Sequence, residues 1–134
     1  MTESGVTEEK KEKIILATVQ GDIHDIGKNI VKVLLENYGF EVLDLGKDVA
    51  PEVIVDNVLK EDANLVALSA LMTTTVDSME ETIKLLRNVK PGCKIMVGGA
   101  VLNQEYADMI GADFYGKDAM QAVYYAQKLL KGEN

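Results

Sequence analysis

Short apolar runs alternate with longer stretches of helical period from residue 13 onward. The short runs are rich in β-branched residues and have turn residues between them, which is typical of strands. The longer stretches place apolar residues on one face, as amphipathic helices do. The pattern predicts strands at about 14–19, 41–45, 64–69, 94–97 and 113–115. It predicts helices at about 27–38, 51–60, 76–88, 103–110 and 117–131.

The ends of the predicted helices carry residues suited to those positions. Gly39 follows the first helix as a C-cap residue, and Pro51 suits the first turn of the second. Asp77, with Glu80 or Glu81, favours the positive end of the third helix.

Five consecutive strand–helix units predict the fold class. Right-handed crossovers of this length give an α/β, doubly wound, five-stranded parallel sheet of Rossmann or flavodoxin-like type. Ligands of such sheets bind outside the carboxyl ends of the strands, where the strand order reverses. The loops expected at that edge are GDIHDIG, GKDVAP, SALMTTT, GGAVLNQ and YGKDA.

The chain divides into two parts by composition. Residues 1–12 are charged and polar with little to bury, so we interpret them as a flexible leader or linker. Residues 13–134 are the length of one domain and need no further staple to fold. We expect a neighbouring module beyond the leader.

Composition and charge exclude several classes of function. Hydrophobic residues make up 47% and aromatics only 5%, so the core must be aliphatic. A net charge of −8 argues against nucleic acid and membrane surfaces as partners. The one cysteine, Cys93, can form neither an internal disulfide nor a thiolate metal cluster. With no apolar run near the ~20 residues of a membrane span, we expect a cytoplasmic protein.

His24 is the one histidine of the chain and lies in the loop after the first predicted strand. A lone histidine is usually just a hydrogen-bonded or exposed residue. A neutral imidazole is also the commonest side-chain metal ligand, and it works best when a carboxylate holds its other ring nitrogen. Asp22 can supply that carboxylate, while Asp25 is either a rival partner or a cap of the following helix.

One histidine is too few for an ordinary protein metal site. Zinc takes three or four protein ligands, so the remaining ligands here would have to come from a cofactor. A metal already chelated in a macrocycle needs only one axial ligand from the protein. The loop is not a phosphate loop of Walker type, because it lacks that glycine spacing and the GK[ST] ending.

Small and hydroxyl residues follow the third and fourth predicted strands. Ser69 and Thr73–Thr75 follow one strand, and Gly98 and Gly99 follow the other. Singly, such hydroxyls usually cap helices and such glycines turn the chain. Together they indicate a slot in which backbone approaches a bulky ligand closely. Met72 and Met120 are predicted to fill the core.

Three motifs in order carry a family resemblance. They are D-x-H-x-x-G at Asp22, His24 and Gly27, S-x-L at Ser69 and Leu71, and Gly98-Gly99. The chain resembles the cobalamin-binding domain family from about residue 13 to its C-terminus. The extended stretch GDIHDIGKNIV is most similar to corrinoid proteins of methyl transfer systems and to the cobalamin domain of methionine synthase.

The resemblance implies a role for each residue. His24 would ligate cobalt from below in place of the cofactor's own lower base, in the base-off and His-on mode. Asp22 would hold His24, and Thr75 would stand where methionine synthase has a serine. The implied cofactor contacts are Asp22, Ile23, His24, Asp25, Ile26, Gly27, Ser69, Leu71, Thr73, Thr75, Gly98, Gly99, Tyr115 and Ala119.

The implied function is that of a methyl carrier. A corrinoid protein accepts a methyl group from one methyltransferase subunit or domain and presents it to a second, so catalysis is completed by these partners. Corrinoid proteins of this kind usually carry a helical module that covers the upper face of the corrin. That cap would belong to a longer protein or to another chain, or the protein would function without one, and we expect a longer or modular protein.

Two other functions remain open from the sequence. The small cobalamin-binding subunit of an adenosylcobalamin-dependent mutase carries the same three motifs, although not usually the DIHDIGKNIV wording. A cobalamin sensor, or a receiver-like signalling domain, belongs to a different class. Lys117 suits a receiver domain, but the third strand ends in Ser69 where a phosphorylatable Asp is expected.

Overall fold

The computed structural model of the protein describes residues 12–130. The predicted leader, apart from residue 12, and residues 131–134 lie outside the described residues. Within that range, five strands alternate with five α-helices. The strands are β1 (Lys13–Val19), β2 (Glu41–Val49), β3 (Leu65–Ser69), β4 (Lys94–Gly98) and β5 (Phe114–Tyr115). The helices are α1 (Ile26–Asn37), α2 (Pro51–Glu61), α3 (Val76–Val89), α4 (Gln104–Met109) and α5 (Ala119–Leu130).

The strands form one parallel sheet in the order β2-β1-β3-β4-β5. This is the flavodoxin-like order, so the predicted fold class is confirmed. The order reverses between β1 and β3, which places the expected ligand crevice there. Thr18 pairs with Ser69, and Ser69 pairs with Gly98, so the carboxyl ends of β1, β3 and β4 are level.

The helix ends follow the sequence signals. Gly39 adopts a φ of +94°, beyond the point where α1 ends, as a C-terminal glycine does. Pro51 opens α2, and Asp77 lies in the first turn of α3. A short 3₁₀ turn at Thr73–Thr75 precedes α3 and was not predicted.

Strand β2 is longer than its predicted range. It continues to Val49 because its pairing with β1 shifts register twice, as β-bulges do. Gly46 and Asp48 adopt positive φ values of +101° and +55° along this irregular part. The bulges bring the end of β2 beside the loop that follows β1.

Two layers of core pack on the two faces of the sheet. Helices α2, α3 and α4 bury aliphatic side chains on one face, around Ile15, Val66 and Ile95. Helices α1 and α5 cover the other face, over Leu16 and Ala67. No helix within residues 12–130 combines the length and the apolar character needed to cross a membrane. The cytoplasmic location stays a prediction.

Candidate functional site

Asp22 is fully buried at the carboxyl end of β1 and accepts hydrogen bonds on both carboxylate oxygens. Oδ1 accepts from the backbone N–H of His24 at 3.0 Å and from Nδ1 of its ring at 2.8 Å. Oδ2 accepts from Leu71 N at 2.7 Å, Met72 N at 3.3 Å and Thr75 Oγ1 at 2.9 Å. The carboxylate therefore joins the loop after β1 to the loop after β3.

His24 presents one ring nitrogen to the surface. Its side chain is 47% exposed, and the bond to Asp22 places the proton on Nδ1 because a carboxylate can only accept. Nε2 is then left with its lone pair. No hydrogen bond to Nε2 is found from any residue in the range 12–130. The ring is therefore oriented to bind a metal ion or take up a proton at Nε2.

The hydrogen bonds to Asp22 control its ionisation. Burial acts to raise its pKa, but the bonds from the Leu71 and His24 backbone, the His24 ring and Thr75 outweigh burial. The pKa of Asp22 is consequently held well below its usual range. Asp22 is a carboxylate at any pH near neutrality.

This lowered pKa predicts how the stability of the cofactor-free protein depends on pH. Asp22 stabilises the fold fully above about pH 4, the ordinary carboxyl pKa, and loses that contribution as pH falls further. Asp22→Asn should lower the free energy of unfolding by about 2 kcal/mol at neutral pH. The amide NH₂ of Asn would face hydrogen-bond donors, such as Leu71 N and Thr75 Oγ1, where the carboxylate accepts. The free energy of unfolding of this variant should also decrease less than that of the unmodified protein as the pH is lowered. Urea unfolding at several pH values measures this dependence.

Asp56→Asn is the matched control, because Asp56 is exposed on α2. It should keep both the neutral stability and the acid slope of the unmodified protein. An Asp22→Asn variant with an unchanged acid slope would contradict the assigned role of Asp22.

Asp25 has neither of the roles considered for it. It occupies the N-cap position of α1, but its side chain makes no capping hydrogen bond. The ring of His24 is held by Asp22 instead. The cap interpretation of Asp25 is therefore wrong. The first turn of α1 is opened by backbone bonding alone, including Asn29 N to Asp25 O at 2.9 Å.

Thr75 has one hydroxyl proton and two acceptors within reach. Its Oγ1 lies 2.9 Å from Oδ2 of Asp22 and 2.7 Å from the carbonyl oxygen of Met72. It is 3% exposed, so the extra methyl of threonine is accommodated inside the fold. Thr75 therefore completes a His24–Asp22–Thr75 chain of hydrogen bonds.

A groove of about 460 Å³, called the slot below, opens beside this chain of hydrogen bonds. It runs between α1 and α5 and over the carboxyl ends of β3 and β4. Seven of the residues predicted to contact the cofactor line it: Gly27, Ser69, Leu71, Gly98, Gly99, Tyr115 and Ala119. The other seven lie outside its lining: Asp22, Ile23, His24, Asp25, Ile26, Thr73 and Thr75.

The slot and His24 are neighbours through two residues. Gly27 lies in the first turn of α1, three residues after His24, and lines the slot. Leu71 both lines the slot and donates its backbone N–H to Asp22. Thr73 is exposed on the 3₁₀ turn. The cofactor-contact roles of all fourteen residues stay predictions.

Two glycines of the slot serve different purposes. Gly99 has a φ of +132°, and a Cβ there would lie 1.8 Å from the carbonyl oxygen of Ala70. The fold itself therefore requires glycine at that position. A Cβ on Gly27 would meet nothing within 4 Å among the described atoms. Open space at Gly27 fits a bulky ligand that lies against this wall.

Exposed apolar side chains occur on the two segments that hold the His24–Asp22 pair. Ile23 is 63% exposed and Ile26 is 77% exposed, on either side of His24 in the sequence. Leu71 and Met72, from the loop that Asp22 binds, are each 38% exposed. The core-filling role predicted for Met72 is therefore wrong, whereas Met120 does pack against the core. These exposed apolar groups suit a broad, flat ligand above His24.

Two contacts that support the site were not predicted. Lys28 is 3% exposed, and its Nζ bonds both carboxylate oxygens of Asp44 at 2.7 Å and Oδ1 of Asn29 at 2.9 Å. This pair ties α1 to β2 directly after the His24 loop. Asp48 accepts from Gly21 N at 2.8 Å and donates its own N–H to the Asp22 carbonyl at 2.9 Å. Lys28 lies on α1, and Asp44 and Asp48 lie on β2, so no local sequence signal indicated either contact.

The donor set around His24 limits the kind of metal site. Among residues 12–130 there is no group of three or more His, Cys, Asp or Glu side chains that could hold a metal ion. A metal bound to His24 would need its remaining ligands from a chelating ring. The orientation of His24, the exposed apolar side chains and the open slot all fit such a cofactor.

Comparison with known proteins places this site in context. The family described as B12 binding domain matches residues 12–124. Dimethylamine corrinoid protein 1 of Methanosarcina mazei is 46% identical over 130 residues, covering 95% of this chain and 60% of that protein. The chain thus spans about 60% of the length of that curated relative.

Two solved structures are similar over most of the chain. A cobalamin-binding protein from Desulfitobacterium hafniense has a TM-score of 0.86 at 41% identity, covering 89% of this chain and 59% of that one. The methanol:cobalamin methyltransferase complex of Methanosarcina barkeri has a TM-score of 0.89 at 34% identity. That match covers 98% of this chain and 51% of that one.

Proposed function

The chain belongs to the B12 binding domain family, and on that premise we propose that it carries a methyl group between methyltransferase partners. Its cofactor is cobalamin. When bound, this cofactor supplies a cobalt centre that can accept and release a methyl group. The observation that carries the proposal is the exposed Nε2 of His24, oriented through Nδ1 by a buried carboxylate. The relatives named as corrinoid proteins favour this function over the mutase alternative.

His24 is the proposed axial ligand, in the base-off and His-on mode. Its Nε2 is the basic nitrogen of the ring, and a carboxylate behind the other nitrogen makes an imidazole a better ligand. The apolar side chains of Ile23 and Ile26 would lie against the underside of the ring system. The cofactor's own lower base must then be held elsewhere.

The slot is the proposed place for that lower base and its nucleotide tail. It begins beside Gly27 and Leu71, next to His24, and leads inward between α1 and α5. Ser69 lies half-buried at its entrance and can offer a hydroxyl to polar parts of the tail. Thr73 is exposed nearby and would contact the tail only outside the slot.

Asp22 and Thr75 are proposed to adjust the strength of the His24 bond. Oδ2 of Asp22 is held by Leu71 N and Thr75 Oγ1, so its charge stays fixed behind the ring. Proton uptake by the His24–Asp22 pair would weaken the ligand, and proton release would strengthen it. The proton state of the pair is thereby linked to the methylation state of the protein.

The partners in this proposal lie on both sides of the methyl transfer. One methyltransferase subunit or domain would donate the methyl group and another would accept it. A helical module that covers the upper face of the cofactor would come from a longer protein or from another chain. Residues 13–134 would form the cobalamin-binding domain of that assembly.

The proposal is tested by reconstituting the protein with hydroxocobalamin and labelling only histidine with ¹⁵N. Because His24 is the one histidine, the label reports this residue alone. In the Co(II) state, the electron paramagnetic resonance signal should show axial splitting that changes from triplet to doublet lines with the label. The fully reduced protein should then take up a methyl group from methyl iodide.

Two results would contradict the proposal, one for each of its parts. An axial splitting that is the same with and without ¹⁵N-labelled histidine would exclude the His-on mode. The methyl-carrier function would be excluded if the reduced protein stayed unmethylated while free cobalamin was methylated under the same conditions. Cobinamide, which has no lower base, is the control for the first part, since its axial nitrogen can come only from the protein or the buffer.

A further inference from the structure

The inner wall of the slot is chemically unlike its entrance. Ser69, Lys117 and Asp118, the side chains with polar groups near the entrance, are half-buried or exposed. The buried side chains that face the slot, apart from Lys28, are apolar and belong to the core under α1 and α5, namely Leu16, Ala67, Met96 and Ala122. The side chains of Leu68 and Val97, which also border the slot, pack into the core on the other face of the sheet. A group that reaches the inner end meets aliphatic side chains and a thioether.

The ammonium group of Lys28 does not change this character. Its three protons have three acceptors, namely both oxygens of Asp44 and Oδ1 of Asn29. Its side chain is 1% exposed, and its ammonium group is paired with Asp44. Lys28 therefore has no proton left for a ligand.

The hydroxyl of Tyr115 is also engaged. It donates to the carbonyl oxygen of Leu102 at 3.1 Å, and the side chain packs against the core on the α2, α3 and α4 face of the sheet. The strand segments below the slot are paired in the ladders β1–β3 and β3–β4, so their backbone groups are satisfied. A ligand whose polar edge lies at the inner end of the slot would lose its hydrogen bonds to water and gain none from the protein.

We propose that the slot selects cobamides by the polarity of their lower base, accepting bases with an apolar edge and disfavouring purines. This rests on the proposed function, because it requires the tail to occupy the slot. Dimethylbenzimidazole presents methyl groups at its outer edge, and phenolic lower ligands present an apolar ring. Adenine instead presents an amine and ring nitrogens, and burying such groups unpaired is unfavourable.

The test compares three corrinoids by visible titration of the cofactor-free protein. These are cobinamide without a base, cobalamin with dimethylbenzimidazole, and the cobamide with adenine as lower base. The adenine cobamide should bind about 10- to 100-fold more weakly than cobalamin, the usual cost of a buried polar group that lacks a hydrogen-bond partner. Equal or tighter binding of the adenine form would overturn the proposal.

The cobinamide arm separates this proposal from the function on which it rests. Cobinamide has no tail, so it should gain the His24 ligand whatever the slot prefers. Loss of histidine ligation with cobinamide would count against the proposed function. Equal affinity for the two complete cobamides, with histidine ligation intact in both, would count against base selection alone.

Met96→Gln tests the inner wall directly. Gln has nearly the shape of Met and adds an amide that can pair with a purine edge. In this variant the dissociation constant of the adenine cobamide, divided by that of cobalamin, should fall by about fivefold or more. Each hydrogen bond from the new amide to adenine recovers part of the lost binding energy. An unchanged ratio would overturn the assignment of Met96 to the base pocket.

Met109→Gln is the matched control, since Met109 is 71% exposed on α4 and lies outside the slot lining. It should leave the ratio of dissociation constants unchanged, and a ratio that narrows equally would overturn the proposal. If Met96→Gln fails to fold, Ala122→Ser supplies a smaller change at the same wall. It should shift the ratio in the same direction, and a ratio that does not shift would overturn the proposal.

Discussion

His24→Ala is expected to give a folded protein in which cobalamin has no nitrogen ligand from the chain. The histidine-dependent splitting should disappear, and affinity for cobinamide should fall by at least about 100-fold. Removing a partner of a metal ligand already costs 10- to 100-fold in affinity, so removing the ligand should cost no less. Spectroscopic titration with cobinamide measures both effects.

The folded state should survive this change. The His24 side chain is 47% exposed, and Asp22 keeps its bonds from Leu71 N and Thr75 Oγ1 after the ring is gone. Thermal unfolding of the cofactor-free variant should therefore resemble that of the unmodified protein. Added imidazole should partly restore the axial nitrogen signal.

Glu36→Ala is the matched control for His24→Ala. Glu36 is exposed in the last turn of α1, far along the helix from the His24 loop. It should keep both the splitting and the affinity. If His24→Ala kept the splitting as well, the imidazole would not be the cobalt ligand.

Lys28→Met is expected to destabilise the protein by about 3–5 kcal/mol, the usual cost of leaving a buried charge without its partner. The Lys28 side chain is 1% exposed and that of Asp44 is 17% exposed, so water cannot replace the lost ammonium well. Urea unfolding of the cofactor-free protein measures the free energy of unfolding. The double variant Lys28→Met/Asp44→Asn should recover much of the loss.

Lys84→Met is the control for an exposed ion pair. The Lys84 side chain is 75% exposed, and its Nζ lies 3.8 Å from Oε2 of Glu80 on the same helix. Its loss should cost less than about 1 kcal/mol. A Lys28→Met variant as stable as Lys84→Met would show that the buried pair does not hold α1 to β2.

Most of the fold could be predicted because it depends on local patterns. Apolar periodicity, a glycine after α1 and a proline at the start of α2 each act within a few residues. The five strand–helix units then leave few arrangements, and the parallel sheet follows. Strand β2 was predicted too short because its polar, glycine-containing end resembles a loop, and bulges are fixed by pairing with β1.

The site was predictable where the chain itself brings groups together. Asp22 and His24 are two residues apart, so their contact needs only the local loop. The contact of Lys28 with Asp44 spans 16 residues and depends on how α1 packs against β2. A lysine on a helix is normally exposed, so nothing local distinguishes this one. The core position predicted for Met72 was wrong for the converse reason. Only the packed structure shows that this apolar residue lies on the surface.

The close approach of Gly99 to Ala70 limits how the slot can widen. The Ala70 N–H also donates to the Gly98 carbonyl at 3.1 Å, so the segments that leave β3 and β4 are fastened together. That side of the slot cannot widen without breaking both contacts. If a nucleotide tail occupies the slot as proposed, we expect α1 and α5 to move to admit it while the ends of β3 and β4 stay in place.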